Sequence, residues 1–365
     1  MTDYSIYLPS YSIGRDACRR IGSICRPYGR RAVVIGGRRA MEAIGPEITR
    51  GAEGVIEIVE FRWYGGECSE ANIAALLGSE SVQSADMIFA AGGGKALDTG
   101  KLVGLRAGKP VFTFPTIAST CAACTAVSIV YHEDGSFAGP CFLPRPPVHA
   151  FLCTDVLAKA PPRYLWAGLG DTYAKYFEAT VSSRGDEPTY YQALGIGMSR
   201  MCLDPLLRCG AAAMADHRRG IASEALETVV QTIVVTTAIV SILVTSGGVA
   251  DYNSGLAHAV FYALTTFPEL PIESRHLHGE VVGFGTLVLL LVDGQAEMFR
   301  TLFDFNRSVG LPTKLADIEV PESALERVIP QILKMSDIAH YPYRVTEEAL
   351  RAAFTALHHL AQSPN

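Results

Sequence analysis

The sequence predicts an α/β domain followed by an all-helical one, and three observations carry that prediction. Up to about Asp155, short apolar or β-branched runs alternate with helix-compatible stretches. One of those runs, Met87–Ala91, enters three glycines in a row, Gly92 to Gly94, and a helix-compatible segment follows at once. Beyond Pro161–Pro162 the pattern becomes long helical stretches with no strand ladder. Strands alternating with helices at this spacing imply a parallel sheet covered by helices. The 365-residue length exceeds the usual single-domain range. The expected division is an α/β domain over residues 1–157 and an all-helical domain over residues 158–365.

Taken in order, Ser5–Tyr28 reads as an edge strand, a turn at Gly14–Arg15 and a short helix. Arg31–Gly37 (RAVVIGG) is a β-branched run ending in glycines, a strong strand signal. Gly54–Glu60 alternates apolar and charged residues as a half-buried strand does, and Met87–Ala91 and Pro110–Phe114 supply two more strands. In the second half the predicted helices are Arg163–Ser182, Tyr190–Leu206, Ile221–Thr245, Gly255–Thr266 and Val281–Val292. Val229–Val249 is apolar enough to raise the question of a membrane span. Its glutamine, threonines, serines and glycines, with no basic flanks, favour a helix buried in a helical domain.

Composition narrows the function classes. The net charge of −6 comes without long acidic or basic runs, which argues against nucleic acid or an anionic membrane as partner. The N-terminus lacks a basic region followed by an apolar core, so no secretory signal is expected. Nine scattered cysteines, an odd count, fit a reduced cytoplasmic setting better than a disulfide framework.

The triple-glycine turn is the candidate anion site. Glycines let the backbone approach a bulky anion, and the helix start beyond them offers unpaired N–H groups and a positive dipole end. Lys95 adds a point charge there, and Asp98 and Lys101 lie on the following helix. The spacing matches neither GxGxxG nor GxxxxGK[ST], and a tight turn that binds nothing has the same appearance.

Asp171, His258 and His278 together make a normal ligand set for a catalytic zinc, one carboxylate and two imidazoles with a position left open. They stand far apart along the chain. Taken singly, an aspartate beside a glycine is also a common cap and a histidine a common core group. His276 and His278 are not expected to share one ion, and HExxH is absent. Cys121 and Cys124 have redox-pair or half-knuckle spacing, but no second pair exists, and the Thr/Ser/Ala-rich surroundings read as a loop lining a pocket.

Six stretches, in order, are similar to the iron-containing (group III) alcohol dehydrogenase superfamily and, within it, the glycerol dehydrogenase family. They are Phe61–Glu70, Gly92–Lys101, Pro115–Phe137, Gly168–Ala179, Leu256–Val260 and His278–Leu287. The resemblance implies a Rossmann-like parallel sheet plus an all-α domain, the dehydroquinate synthase-like architecture. It implies Asp171, His258 and His278 as metal ligands. It also implies Gly93, Gly94, Lys95 and Asp98 as cofactor-binding residues, with Gly94 and Lys95 on the pyrophosphate. Thr116, Ser119, Thr125, Val127 and Tyr131 take the positions lining the nicotinamide and its ribose.

Three departures bear on substrate and cofactor. Cys121 stands where glycerol dehydrogenases typically carry an aspartate that contacts the polyol, which argues against glycerol. Tyr262 stands where the family often has a further histidine, and is expected to donate a hydrogen bond or relay a proton. Gly37 occupies the place of the usual ribose-binding acid, with Arg38 and Arg39 behind it, a pattern suited to a 2′-phosphate or simply to a solvated loop. The CAAC loop, Gly168–Ala179 and Ile338–Phe354 look most like the hydroxycarboxylate dehydrogenase subgroup.

The expected activity is therefore that of a metal-dependent, NAD(P)-linked alcohol dehydrogenase or carbonyl reductase. It would interconvert a small 2-oxo acid and 2-hydroxy acid with NADP(H), zinc being expected ahead of iron and NADP ahead of NAD. The alternative is a glycerol or vicinal-diol dehydrogenase using NAD. Arg145, Arg275 and His276 are the candidates to pair with a substrate carboxylate. The expected partner is a small alcohol or carbonyl compound, with no nucleic acid and no membrane, and the chain is expected to form a homo-oligomer. A cyclase that keeps NAD resident and a thiol-redox protein built on CAAC are the remaining rivals.

Overall fold

The computed structural model describes residues 4–362 except Gly247 and Val249. It divides the chain into two compact units. One is the chain up to Pro162 together with Ala215–Ile242; the other is Arg163–Met214 together with the chain from Leu243 onward. The stretch Ala215–Ile242, which a single boundary at 157/158 assigns to the second half, groups with the first unit.

The first unit is built on six parallel strands: β1 (Tyr11–Gly14), β2 (Arg31–Gly36), β3 (Glu57–Trp63), β4 (Met87–Gly92), β5 (Val111–Pro115) and, after an antiparallel hairpin of β6 (Val127–Tyr131) and β7 (Phe137–Phe142), β8 (His149–Cys153). The sheet order is β1-β8-β5-β4-β2-β3. Strands β2 and β4 are buried along almost their whole length, as strands covered on both faces must be. One face of the sheet packs an aromatic stack, with Phe114 and Phe151 ring centroids 4.9 Å apart and their planes nearly parallel, and Phe89 5.0 Å from Phe114.

The order reverses at β2, whose partners β3 and β4 lie on its two sides. That reversal is where an open parallel sheet leaves a crevice at the carboxyl ends of its strands. Gly36–Gly37 and Gly92–Gly94 emerge there side by side. A side chain placed on Gly92 would come within 3.8 Å of the Gly37 nitrogen.

The sequence reading misses β8 and the β6–β7 hairpin. β8 is only five residues long, fully buried and preceded by a proline-rich stretch, so it shows no alternation. The strand expected at Gly54–Glu60 begins three residues later, at Glu57.

The second unit is helical, with no strand among its described residues. It contains helices Pro162–Ser182, Leu256–Thr265 and His278–Val292, which carry the candidate ligands. The single helix expected over Tyr190–Leu206 is interrupted by a 3₁₀ turn at Ser199–Cys202. The apolar stretch from Val229 lies in a helical run, Glu224–Thr245, long and apolar enough by length and composition to cross a membrane; 61% of its most apolar window is buried within the protein. A π-helical turn at Thr232–Thr236 interrupts it. Gly247 and Val249 of the predicted segment lie outside the described residues.

Candidate active site

Three helices of the second unit bring Asp171, His258 and His278 together. The helices approach closely because glycines remove the side chains between them. An added Cβ on Gly170 would lie 2.1 Å from the Gly279 carbonyl oxygen, and one on Gly285 would lie 2.4 Å from that of Ala257. These positions neighbour Asp171, His278 and His258 in sequence, so backbone contact at the crossings is what lets the ligand side chains meet.

Asp171 Oδ1 lies 3.5 Å from His258 Nε2 and 3.5 Å from His278 Nε2. One ligand atom from each residue lies within 4.8 Å of the other two, and no other such cluster exists among the described residues. Bonds of about 2.0–2.1 Å at tetrahedral angles separate ligand atoms by about 3.4 Å, so the three residues fit a zinc-sized ion with little movement.

The charge state suits the same purpose. Burial works against an anionic Asp171, yet hydrogen bonds and charge from His258 and His278 hold it well below the usual carboxylate range. Burial likewise opposes charge on His258, but Glu178 and Asp171 outweigh it and push its pKa up to about 10. A proton on His258 thus occupies, without metal, the place a cation takes when bound.

Glu178 is the residue that sequence reasoning missed. It is fully buried, lies seven positions after Asp171 on one helix, and accepts from both the His258 backbone N–H (3.0 Å) and ring Nδ1 (2.8 Å). That contact leaves Nε2 turned toward Asp171, the arrangement that fixes a ligating imidazole. Its signal was available: an acid two turns after Asp171 on the same face of the predicted helix. Tyr262 lies one turn beyond His258, its ring centroid 6.1 Å from that of His258 and 6.4 Å from that of His278.

In the first unit, Gly93 caps the helix Gly94–Ala107, and Ile117 would clash at 2.6 Å with any side chain placed there. Thr116 N–H donates to the Gly92 carbonyl (3.1 Å). Lys95 is paired with Glu67 at 2.5 Å and lies 4.5 Å from the centroid of the Tyr131 ring. Asp98 is 6% exposed; its carboxylate meets Lys101 at 2.8 Å and accepts from the Ile129 N–H at 3.1 Å. Asp98 therefore holds the β6 end of the loop against the helix. Lys101 completes this anchor by donating to the Ala122 and Val127 carbonyls and the Thr125 hydroxyl.

Ser119 and Cys121 are half-buried in the loop that follows β5. Burial pushes the neighbouring Cys124 thiol upward, which disfavours the thiolate a redox pair needs. Gly37 is the extended N-cap of the helix Arg38–Ala52, and Arg38 stacks 4.8 Å over Trp63. Arg275 pairs with Glu319 at 2.5 Å, His276 with Glu280 at 2.8 Å, and Arg145 stacks over Tyr7.

The family model for iron-containing alcohol dehydrogenases matches residues 9–146. A glycerol dehydrogenase of Thermotoga maritima is 36% identical over 303 residues, covering 80% of each chain. The chain belongs to the iron-containing alcohol dehydrogenase superfamily, in its glycerol dehydrogenase family. Hydroxycarboxylate dehydrogenase A of Escherichia coli K12 is 32% identical over 333 residues, covering 89% of this chain and 88% of that one. Among solved structures, a probable glycerol dehydrogenase from Sinorhizobium meliloti 1021 superposes with a TM-score of 0.80 at 29% identity, covering both chains completely. Membership in this family makes the protein an oxidoreductase acting on CH–OH groups, with the Rossmann-like sheet and all-α unit of its relatives.

Proposed function

We propose that this dehydrogenase oxidises a small vicinal diol or polyol, glycerol being the first candidate, with a nicotinamide dinucleotide and one divalent metal ion. The observation that carries the reading is the meeting of Asp171, His258 and His278 in a chain whose relatives include glycerol dehydrogenases. A divalent ion held by these three residues, zinc ahead of iron, would supply Lewis acidity at the substrate oxygen. The nicotinamide would supply the hydride acceptor.

The chain's own residues do the rest. Asp171 contributes the negative charge, and Glu178 keeps the His258 ring in one tautomer and orientation. Tyr262, one turn from His258, would exchange a proton with the substrate hydroxyl, a role that its nearness to the His258 ring supports. Gly93 and Gly94 keep the helix start open to a diphosphate, and Lys95 supplies charge. Thr116, Ser119, Thr125, Val127 and Tyr131 line the loop expected to face the nicotinamide and its ribose. Nine free cysteines support a reducing, cytoplasmic setting.

A second reading is NADP-linked interconversion of a 2-oxo acid and a 2-hydroxy acid. Its support is Cys121, a neutral group where glycerol dehydrogenases typically place an aspartate, together with Arg38 beside Gly37. The relatives support the polyol reading better.

Steady-state assays on purified protein separate the two. The polyol reading expects NAD-linked oxidation of glycerol or a 1,2-diol, abolished with metal binding in Asp171→Asn. Faster NADPH-linked reduction of 2-oxo acids would overturn it in favour of the second reading.

A further inference from the structure

We propose that Glu67 is an internal counterion that occupies Lys95 until a dinucleotide diphosphate displaces it, and so sets how tightly the cofactor is held. The inference rests on the reading of the Gly92–Gly94 turn as the diphosphate site, and goes beyond it by assigning Glu67 a role there.

Three chain segments converge on this contact. Lys95 is the second residue of the helix Gly94–Ala107, where a phosphate would meet the helix N-terminus. Its ammonium lies 2.5 Å from Glu67 Oε2 and rests over the Tyr131 ring. The Glu67 carboxylate is itself braced, since Oε1 accepts the Cys68 N–H at 2.9 Å and the Glu67 carbonyl accepts from Asn72 Nδ2 at 2.9 Å. Tyr131 N–H donates to the Cys68 carbonyl at 2.9 Å, tying the same loop to β6.

The two partners differ in freedom. The Glu67 side chain is 17% exposed and held by backbone, whereas Lys95 is 46% exposed and opens to solvent on its other side. A partly exposed ion pair has little net strength, so a diphosphate can replace the carboxylate at Lys95. The displaced carboxylate stays nearby, held by its loop, and repels the bound phosphates. Both effects act in one direction: Glu67 weakens cofactor binding and speeds release. Glutamine at this position keeps the Cys68 hydrogen bond and removes only the charge.

The test measures dissociation constants and release rates of NADH and NADPH by nicotinamide fluorescence at fixed salt. Wild type, Glu67→Gln, Lys95→Met and the double variant are compared. Glu67→Gln is expected to tighten binding roughly three- to tenfold, mainly through slower release, and to steepen its salt dependence. In the Lys95→Met background only the repulsion remains to be relieved, so the same change is expected to tighten binding by a smaller factor than in wild type. Unchanged or weaker binding in Glu67→Gln, with Lys95→Met still impaired, overturns the counterion role alone. Lys95→Met binding as tightly as wild type overturns both this role and the placement of the diphosphate.

Discussion

Gly279 lies against the backbone of Ala167: a methyl group added at Gly279 would sit 2.1 Å from the Ala167 carbonyl oxygen and 2.9 Å from Asp171 Cβ. The carbonyl cannot yield without moving the helix that carries Asp171. Gly279→Ala is therefore expected to cost about 2 kcal/mol or more through overpacking, despite the better helix propensity of alanine. It should also lower metal retention, measured by metal content after dialysis alongside thermal unfolding. Gly197→Ala is the control, because nothing lies within 4 Å of its added methyl. That change is expected to stabilise by about 0.5–1 kcal/mol. Equal effects of the two substitutions would show that the crossing is not what brings the ligands together.

Glu178→Gln removes the carboxylate that accepts from His258 Nδ1 while keeping the side chain's size. The expected result is a 10–100-fold loss of metal affinity with the fold retained. Competition with a chromogenic chelator measures the affinity, and circular dichroism reports the fold. An unaltered affinity would mean that Asp171 and the helix crossings orient the ring unaided.

Gly37→Asp tests the proposed position of the adenosine ribose. The nearest atoms to a Cβ at Gly37, in Ala40 and Tyr64, lie 3.8 Å away, so a Cβ there is in ordinary van der Waals contact. A carboxylate there accepts ribose hydroxyls and repels a 2′-phosphate, so the ratio of kcat/KM for NADH to that for NADPH should rise at least tenfold, about 1.4 kcal/mol. A constant ratio would place the adenosine ribose elsewhere.

His149 gives a pH dependence that is independent of the active site. Its ring nitrogens lie 2.7 Å from the Ser10 hydroxyl and 2.9 Å from that of Ser12, joining the N-terminal strand region to β8. Burial, with help from Arg20, lowers its pKa from 6.5 to about 4. The folded state therefore resists a proton that the unfolded chain takes up. This stabilisation is complete above about pH 6.5 and is lost as the pH falls toward 4, for a contribution of up to about 3 kcal/mol. Denaturant unfolding at pH 7.5 and 5 should show a smaller loss in His149→Gln, which keeps hydrogen-bonding capacity but does not titrate.

Much of this protein was legible in its sequence. The runs RAVVIGG and MIFAAGGG read correctly as strands ending in glycine turns because buried parallel strands are continuous apolar runs, and a backbone that must pass close to a neighbour tolerates no side chain. The helical second half was equally plain. β8 was not, because five buried residues after a proline-rich stretch carry no period, and only pairing with β1 and β5 makes them a strand. Asp171, His258 and His278 each had a bland explanation in isolation. Only tertiary structure brings them together: glycine-lined crossings place three distant helices in backbone contact and turn three separate side chains toward one point. It also decided that Asp98 and Lys101 brace a loop, that Lys95 is held by Glu67, and that Glu178 stands behind His258. The loop braced by Asp98 and Lys101, the carboxylate of Glu67 and the ring of His258 are reached by contacts spanning 21 to 80 residues, and sequence spacing carries no distance across a fold.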